Sequence, residues 1–418
     1  MTDVFLIGAY STVFGKAPDR SYKDLTREAY LGALDDAGLG GGGAVIESGW
    51  FGNCGMWVDG QGSIRGQVCF TPLVREGLFP ERVPIVNVEG GCATASMALN
   101  GAWKDIVSGQ AAVSLAIGVE KIFRPEAPER MKALFDAGID QLDPDEWRAY
   151  YAEACAETGR PFAPGADRTV FMDTYAAQAC WHMARHGTTA RQIAMAAAKN
   201  HNYGALNPKA QYRFAMTPDQ VLEDRPVSDP LTRSMCAPIG DGAAAAVLCS
   251  ADFLKGQPEA VRSRAVRVAA TALSGGKYRA LDEPGLSRVA ATKAYAMAGI
   301  GPDDVDVAEV HDATSFCEIY QSEMLGFCED GAGGRLAESG EPGPGGRLPI
   351  NTSGGLVSKG HPVGATGLSM IDELVRQLRG EAGDRQVPGA RVALTENGGG
   401  VIGFDEAACA VTILVRPD

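Results

Sequence analysis

The sequence predicts an α/β protein built on a mostly parallel sheet that helices cover on both faces. Short apolar runs alternate with stretches in which apolar residues recur at helical spacing, the pattern of strands joined by helical crossovers. This alternation occupies residues 1–119 and returns after residue 258 in a similar order. At 418 residues, 45% of them hydrophobic, the chain is long enough to bury the cores of two such halves. The repeated order indicates an internal duplication too diverged to show as sequence identity.

The first half opens with an apolar run that predicts a short buried strand over residues 4–8. Leu25, Ala29 and Leu34 follow at helical spacing, and a glycine-rich run at 38–43 ends that helix. The elements of this half are predicted as strand 4–8, helix 22–37, strand 45–51, helix 62–76, strand 83–88, helix 93–107 and strand 111–118.

Residues 120–231 have a different texture, with more charged and aromatic residues and repeated prolines. We predict a long insertion of loops and helices that lies over one edge of the sheet, where substrate-contacting segments usually occur. A dimerisation or packing arm is the alternative. Within the insertion, helical spacing is present at 173–185 and 189–200.

The chain returns to the first half through a glycine turn and a buried strand at 240–248. We therefore predict a first half formed by residues 1–119 and 232–258, an inserted subdomain at 120–231, and a second half at 259–418. The second half is predicted as strand 265–272, helix 288–298, strand 305–310, helix 316–325, helix 364–379, strand 391–395 and strand 408–415.

Charge and cysteine content exclude several classes of function. A net charge of −14 argues against nucleic acid or an anionic membrane as a partner, so acidic ligands must be met locally by helix ends and a few basic side chains. No apolar run is long enough to span a bilayer. The ten cysteines are scattered without a C-x-x-C pair, which is poor for zinc or a disulfide framework. The N-terminus lacks a signal-peptide pattern, and we expect a cytoplasmic protein with reduced thiols.

Cys92 is the first candidate for chemistry. It follows a predicted strand and two glycines, Gly90 and Gly91, and precedes a predicted helix. The glycines allow a tight turn, and the unpaired N–H groups and partial positive charge of a helix N-terminus favour a thiolate. We therefore expect a nucleophilic cysteine with a lowered pKa. A buried cysteine packed under a helix is the alternative.

Two of the five histidines stand on similar turns in the second half. His311 follows a predicted strand, and His361 lies in a glycine-rich loop, 351–367, just ahead of a helix. The strand at 391–395 runs into three glycines at 398–400. A lone histidine on such a turn is more often a hydrogen-bonded structural residue. Only the turns at Cys92 and His311, the loop 351–367 and the glycines at 398–400 taken together indicate a catalytic site.

Taken together, these segments resemble the thiolase superfamily from the first strand to the last. The Cys92 turn resembles the nucleophile segment of that family, and the loop with Gly360-His361-Pro362 resembles its most recognisable motif. The resemblance implies a duplicated five-layer α-β-α-β-α fold with a long inserted segment. It also implies a homodimer or dimer of dimers, a coenzyme A thioester as substrate or product, no metal and no permanently bound cofactor.

Residue roles follow from the same resemblance. Cys92 would accept the acyl group, and His361 would activate it and help to hold the thioester oxygen. Gly398 would lend its backbone N–H, with that of Cys92, to an oxyanion hole. The resemblance further implies that Ser353, Gly354 and Asn397 contact substrate. Residues from both halves of the chain would therefore contribute to the site.

One position departs from the family. Familiar thiolases carry a second cysteine near the C-terminus that acts as acid and base on the α-carbon, and here that position is Glu396. Sterol-carrier-type members place it after a His-Asp pair, and here that position is Ala313. Two candidates remain for the proton transfer: Glu396, whose pKa burial would raise, and His311. A structural role for Glu396 is the alternative.

Three functions compete on this basis. The first is thiolytic cleavage of a 3-oxoacyl-CoA, or the reverse Claisen condensation, through acyl-Cys92. The second is a retro-aldol lyase or carbon-acylating enzyme on the same scaffold, working with a small zinc-ribbon and OB-fold partner protein. The third is a scaffold subunit without activity. Because Cys92, His311 and His361 are all retained, the sequence favours acyl transfer.

Overall fold

The computed structural model describes residues 2–40 and 42–417, and its centre is one nine-stranded sheet with a separate two-stranded hairpin. The strands are β1 Val4–Ser11, β2 Ser48–Gly52, β3 Ile85–Val88, β4 Val113–Glu120, β5 Pro226–Ser228, β6 Leu231–Thr232, β7 Gly242–Ser250, β8 Val266–Gly275, β9 Val307–Glu309, β10 Val392–Gly399 and β11 Ala408–Val415.

The helices that follow from the same chain order are α1 Tyr22–Asp36, α2 Arg65–Arg75, α3 Thr94–Val107, α4 Pro128–Asp136, α5 Pro144–Glu157, α6 Val170–His186, α7 Ala190–Leu206, α8 Pro218–Leu222, α9 Ala251–Lys255, α10 Glu259–Arg262, α11 Leu286–Ala298, α12 Ser315–Met324, α13 Gly333–Ser339, α14 Gly355–Lys359 and α15 Thr366–Arg379. Short caps such as Ser21, whose hydroxyl accepts from the Asp24 N–H, fix where these helices begin.

The order of the strands confirms the predicted duplication. The large sheet runs β3-β2-β4-β7-β1 and then β8-β11-β10-β9, so the second half repeats the first in mirrored order. The halves meet at a narrow seam, where Phe5 and Leu6 of β1 pair with Arg267 and Val266 of β8. A parallel bridge between Ala308 and Ile350 stands where β3 stands in the first half.

The prediction of a mostly parallel sheet is wrong. β2 pairs parallel with β3 and β4, and β9 pairs parallel with β10, as helical crossovers require. β7 and β11, however, run antiparallel to both of their neighbours. Each of these strands comes last in its half and enters the sheet from the opposite end, so each half is mixed.

Three apolar cores separate five layers. The first core lies between α1, α2 and the first half of the sheet, and the third lies between α11 and the second half. The middle core holds α3 and α15, which pack against each other and against strands of both halves. Because α3 follows Cys92 and α15 follows His361, the central helices bring both ends of the candidate site to one place.

The segment predicted as an insertion contains α4 to α8 and the β5-β6 hairpin. Its helices α6 and α7 pack on α12, α13 and α14 of the second half. Six of its twelve Phe, Tyr and Trp side chains form a separate cluster with Phe404, including Trp147, Tyr151 and Trp181. The division of the chain into two halves and an insertion stays a prediction. No helix in the described residues is both long and apolar enough to cross a membrane.

Candidate active site

Cys92 lies on the turn between β3 and α3, against the glycine-rich end of β10. Gly91 has a φ of +56°, and a Cβ added to it would lie 2.6 Å from the backbone nitrogen of Gly400. A Cβ on Gly399 would lie 2.7 Å from the backbone nitrogen of Cys92. Side chains at these positions would therefore force the two turns apart. The glycines bring the backbone of β10 onto the nucleophile turn.

His361 is in direct contact with Cys92. Its Nε2 lies 3.1 Å from the Cys92 Sγ, and its Nδ1 lies 2.7 Å from the hydroxyl of Thr366. That hydroxyl also donates to the carbonyl of Pro362 at 3.1 Å, so it accepts from the Nδ1–H of His361. The lone pair of Nε2 is then directed at the thiol. Thr366 thus holds the imidazole in the tautomer that a base for Cys92 needs.

His311 completes a cluster of three. Its ring packs edge-on against His361, with ring centroids 5.3 Å apart, and ligand atoms of Cys92, His311 and His361 all lie within 4.8 Å of one another. The Nε2 of His311 is buried and has no hydrogen-bond partner. Burial lowers the pKa of His311 to about 4 and holds the pKa of His361 well below its ordinary value. Both imidazoles are therefore neutral at pH 7.

A buried polar network positions the two histidine loops relative to each other. The carboxylate of Asp312 accepts from the Leu356 N–H at 2.6 Å and from the Asn200 side chain at 2.8 Å. Glu309 accepts from the backbone N–H of Ser353 at 2.9 Å. Asn200 comes from α7, which lies in the predicted insertion, so it ties that segment to the site. Sequence reasoning missed both Asp312 and Asn200; only the place of Asp312 beside His311 signals its role.

The expectation of a lowered pKa for Cys92 is wrong. Burial raises the pKa of Cys92 to about 12, and the nearby Glu120 acts in the same direction. The backbone N–H groups of Cys92 and Gly400 lower the pKa but do not offset burial. Although the residue as a whole is only partly buried, its sulfur lies beside the buried side chains of His311 and His361, which keep water away from it. This desolvation outweighs the effect of the N-terminus of α3, which begins at Thr94. Cys92 is a thiol at rest, and it needs His361 as a base when it attacks.

This protonation state predicts how Cys92 reacts with an alkylating reagent. Because iodoacetamide reacts with the thiolate that is already present, and not with a thiol that loses its proton to His361 during the attack, we expect the rate of alkylation at Cys92, followed by peptide mass spectrometry, to rise about tenfold per pH unit between pH 6 and 9. Cys236 lines the same cavity and has a pKa raised to about 12, so it serves as an internal control. A rate at Cys92 that levels off below pH 8 would show a thiolate-imidazolium pair instead.

Glu396 lies behind His311, and neither side chain is part of the lining of the cavity, which this loop reaches through Ala313. Its carboxyl oxygens accept from the backbone N–H of His311 at 3.0 Å, the hydroxyl of Ser287 at 3.0 Å and the thiol of Cys409 at 3.4 Å. Burial, with a contribution from the charge of Glu406, raises the pKa of Glu396 to about 8. These contacts tie the carboxyl group to the backbone of the His311 loop and to the side chains of Ser287 and Cys409.

The remaining residues predicted from the resemblance are not in the cavity wall. Asn397 accepts from the Ser96 hydroxyl of α3 at 2.8 Å, and Ser353 is bound to Glu309. Gly354 packs against the backbone of α7, and Gly398 lies under the side chain of Glu406. Gly399 and Gly400 line the cavity in place of Gly398. Contact of Ser353, Gly354 and Asn397 with substrate stays a prediction.

A cavity of about 770 Å³ leads to Cys92 and His361. Its volume is in the range of pockets that enclose drug-sized ligands. Much of its wall comes from α4 and α6 of the predicted insertion, and the exposed side chains of Lys132 and Arg225 lie on its lining. The apolar part of the wall includes Pro128, Met131, Leu134, Phe171, Met172 and Val363.

Comparison with known families matches nearly the whole chain. Residues 4–229 match the model described as "Thiolase, N-terminal domain", and residues 284–414 match "Thiolase C-terminal domain-like". The chain is 37% identical over 410 residues to the acetyl-CoA acetyltransferase of Methanothermobacter thermautotrophicus, covering 96% of this chain and 98% of that protein. It is 36% identical over 429 residues to sterol carrier protein 2 of Rattus norvegicus, covering 97% of this chain and 73% of that protein.

Solved structures share the fold at lower identity. The Ltp2-ChsH2(DUF35) aldolase superposes with a TM-score of 0.76 at 24% identity, covering 99% of this chain and 97% of that one. Human mitochondrial 3-ketoacyl-CoA thiolase superposes with a TM-score of 0.67 at 18% identity, covering 100% of this chain and 99% of that one. At these identities the likeness concerns the fold alone.

Proposed function

Because the chain belongs to the thiolase family, we propose that it transfers acyl groups between coenzyme A thioesters through a covalent acyl-Cys92. The enzyme is a thiolase-type acyl-CoA C-acyltransferase. What we propose is which of its residues carry out the reaction. The observation that supports it most strongly is the Cys92 Sγ to His361 Nε2 distance of 3.1 Å at the base of the cavity. The nucleophile Cys92, its base His361 and the hydroxyl of Thr366, which orients that base, are then all present.

In the cleavage direction, His361 takes the proton of the Cys92 thiol as the sulfur attacks the 3-oxo carbon of the substrate. The bond between C2 and C3 breaks, and its electron pair passes to the thioester enolate. C2 then receives one proton, which balances the proton that left the thiol. The products of this half-reaction are acyl-Cys92, which carries the chain from C3 onward, and the CoA thioester of C1 and C2, which is acetyl-CoA for a substrate without a branch at C2.

In the second half-reaction, the thiol of coenzyme A attacks acyl-Cys92. His361 accepts the proton of coenzyme A, the Cys92 sulfur leaves, and the sulfur recovers a proton from the imidazolium. Burial supports this use of His361, because an imidazole with a lowered pKa is neutral and ready to accept a proton in each step. No other reactant is needed to balance the two steps.

Each tetrahedral intermediate needs N–H donors for its oxyanion. We assign this role to the backbone N–H groups of Cys92 and Gly400, which lie close enough to the sulfur to lower its pKa. This replaces Gly398, the donor that the resemblance implied. The enolate oxygen of the thioester would be held by His361, with His311 beside it.

His311 is our candidate for the group that exchanges the proton with C2. Its unpartnered Nε2 and its position within 4.8 Å of Cys92 and His361 support this assignment. Its lowered pKa makes it neutral at rest, so it can accept a proton in condensation. In cleavage it passes on the proton that His361 has taken from Cys92. Glu396 would act only by holding the backbone of His311.

Two variants separate these roles. We expect His311→Ala to slow exchange of the α-protons of acetyl-CoA in deuterium oxide by at least about 100-fold, because it removes the acid and base. Glu396→Gln should keep exchange within about threefold, since the amide oxygen can accept from the His311 N–H and the amide nitrogen can donate to Ser287. Exchange is measured by mass spectrometry of acetyl-CoA. Loss of exchange in Glu396→Gln with normal exchange in His311→Ala would reverse the assignment.

The retro-aldol alternative has less support than acyl transfer. A retro-aldol cleavage does not need an acylated cysteine, whereas here the thiol is paired with a base whose tautomer is fixed by Thr366. The two functions are distinguished by products. Cleavage of a 3-oxoacyl-CoA that depends on added coenzyme A and yields two CoA thioesters supports the acyltransferase; release of an aldehyde or ketone from a 3-hydroxyacyl-CoA would support the lyase.

We also propose partners for the site and for the chain. Lys132 and Arg225, both exposed on the cavity lining, would meet the phosphates of coenzyme A, since the overall charge of −14 cannot attract them. β3 is an edge strand with Val86 41% exposed, and a second copy covering it would give the expected homodimer. A small zinc-ribbon and OB-fold partner and a cytoplasmic location stay predictions. The Ltp2 structure, which contains ChsH2, supports looking for such a partner.

A further inference from the structure

Cys92 and His361 at the base of the cavity, together with the buried His311 beside them, are also a set of zinc ligands. A cysteine sulfur and two imidazole nitrogens are donors that zinc prefers. In a tetrahedral zinc site such donors are roughly 3.5 Å apart, given metal-ligand distances of about 2.0 to 2.3 Å. Ligand atoms of Cys92, His311 and His361 already lie within 4.8 Å of one another, and the Cys92 Sγ is 3.1 Å from the His361 Nε2. Shifts of side chains alone can close the remaining difference.

We propose that Cys92, His311 and His361 bind a zinc ion, and that this ion inhibits the enzyme by occupying its nucleophile. Within residues 2–40 and 42–417, this is the cluster of three potential ligands that the structure brings together. The proposal goes beyond acyl transfer, in which the metal takes no part.

The Nε2 of His311, which lacks a hydrogen-bond partner, is a separate indication that a ligand binds at this place. His311 is 2% exposed, and its Nε2 has no hydrogen-bond partner in the protein. A buried ring nitrogen normally has one, because an unsatisfied polar atom costs about 1 to 3 kcal/mol. A metal ion bound at the cluster through Nε2 would give this nitrogen the partner that it lacks.

The hydrogen bonds of His361 are those expected of a histidine that binds zinc. A metal-binding histidine usually donates its other ring N–H to an oxygen, which fixes its orientation. The Nδ1–H of His361 donates to Thr366 at 2.7 Å, and Thr366 donates to the Pro362 carbonyl at 3.1 Å. The Nε2 is therefore the atom left for the metal. The cavity leaves room for a fourth ligand such as water.

Binding changes the chemistry of Cys92 without any oxidation or reduction. The S–H bond breaks, a bond forms between sulfur and zinc, and the thiol proton passes to solvent. A zinc-bound sulfur cannot attack a carbonyl carbon, and His361 no longer has a lone pair to accept a proton. Zinc and acyl-CoA should therefore compete, and acylated Cys92 should not bind the metal.

The test uses the tag-free full chain and direct metal binding. We expect one zinc ion per chain by equilibrium dialysis, and cobalt should give a charge-transfer band in the near ultraviolet from a thiolate ligand. Cys92→Ala and His311→Ala should each weaken binding at least about 100-fold, since losing a ligand costs more than losing one of its supporting contacts. Cys236→Ser removes a cavity thiol outside the cluster and should bind as the wild type does.

Wild-type protein alkylated at Cys92 repeats the test without a mutation. It should lose the cobalt band, and zinc inhibition of the unmodified enzyme should be reversed by a chelator and relieved by rising acyl-CoA. Zinc binding of equal strength in Cys92→Ala or in His311→Ala, or a wild-type chain that takes up no zinc at millimolar concentration, would overturn the proposal.

Discussion

Alanine at position 92 is expected to reduce the rate of CoA-dependent cleavage of a 3-oxoacyl-CoA by at least about 10⁴-fold. The side chain removed is the one that forms the covalent intermediate, and among the described residues neither of the other two thiols of the cavity wall is hydrogen-bonded to an imidazole. Cys54 and Cys236 also line the cavity, but their hydrogen bonds go to Gly91, Thr94 and Thr232. Neither sulfur is in contact with His361.

The same substitution should leave the fold intact. Cys92 is small and only partly buried, and the side-chain hydrogen bond it makes is the one to His361. We expect the free energy of unfolding to change by less than about 2 kcal/mol. Cys236→Ser is the matched control and should retain wild-type turnover. Turnover by Cys92→Ala within tenfold of the wild type would remove Cys92 from the mechanism.

Removal of the base, His361, is expected to have the second large effect on the reaction rate. His361→Ala should lower the rate of acylation of Cys92 by about 10² to 10⁴-fold, the usual contribution of a positioned general base. The effect should be large because burial raises the pKa of Cys92 to about 12, so almost no thiolate forms at neutral pH without a base. The measurement is a quenched-flow time course, with acyl-Cys92 quantified by mass spectrometry.

The pH dependence of the variant carries additional information. Without His361, acylation must use the small thiolate fraction, so its rate should rise about tenfold per pH unit from pH 7 to pH 9. Thr366→Ser retains the hydroxyl that accepts from His361 and should differ little from the wild type. An acylation rate in His361→Ala that is within threefold of the wild type and flat with pH would contradict the assignment of the base.

Local patterns were sufficient to predict the elements around the site. The helix after Cys92 was predicted to begin at residue 93 and begins at Thr94; the helix after His361 was predicted at 364–379 and spans Thr366–Arg379. Apolar periodicity and glycine turns are properties of short segments, so the sequence alone contains them. The matched order of the two halves also predicted the duplication that the sheet order confirms.

Features that depend on long-range packing could not be predicted in this way. The direction of β7 depends on where the chain re-enters the sheet after the long segment that follows β4, whereas β11 follows β10 directly through the loop 400–407. The pKa of Cys92 depends on desolvation by residues that are distant in sequence, which outweighs the nearby helix terminus. Gly400, and not Gly398, faces the thiol because β10 ends against the Cys92 turn. Asn200 reaches Asp312 from the insertion, and no pattern near Asn200 signals this contact.

Passage of an acyl group through Cys92 can be observed by mass spectrometry of the wild-type chain mixed with a 3-oxoacyl-CoA in the absence of free coenzyme A. We predict a mass increase equal to one acyl group, located on the peptide that contains Cys92. Addition of coenzyme A should remove it and release the matching acyl-CoA. Cleavage of the substrate with no adduct on Cys92, or with an adduct on another residue, would rule out acyl-Cys92 as the intermediate.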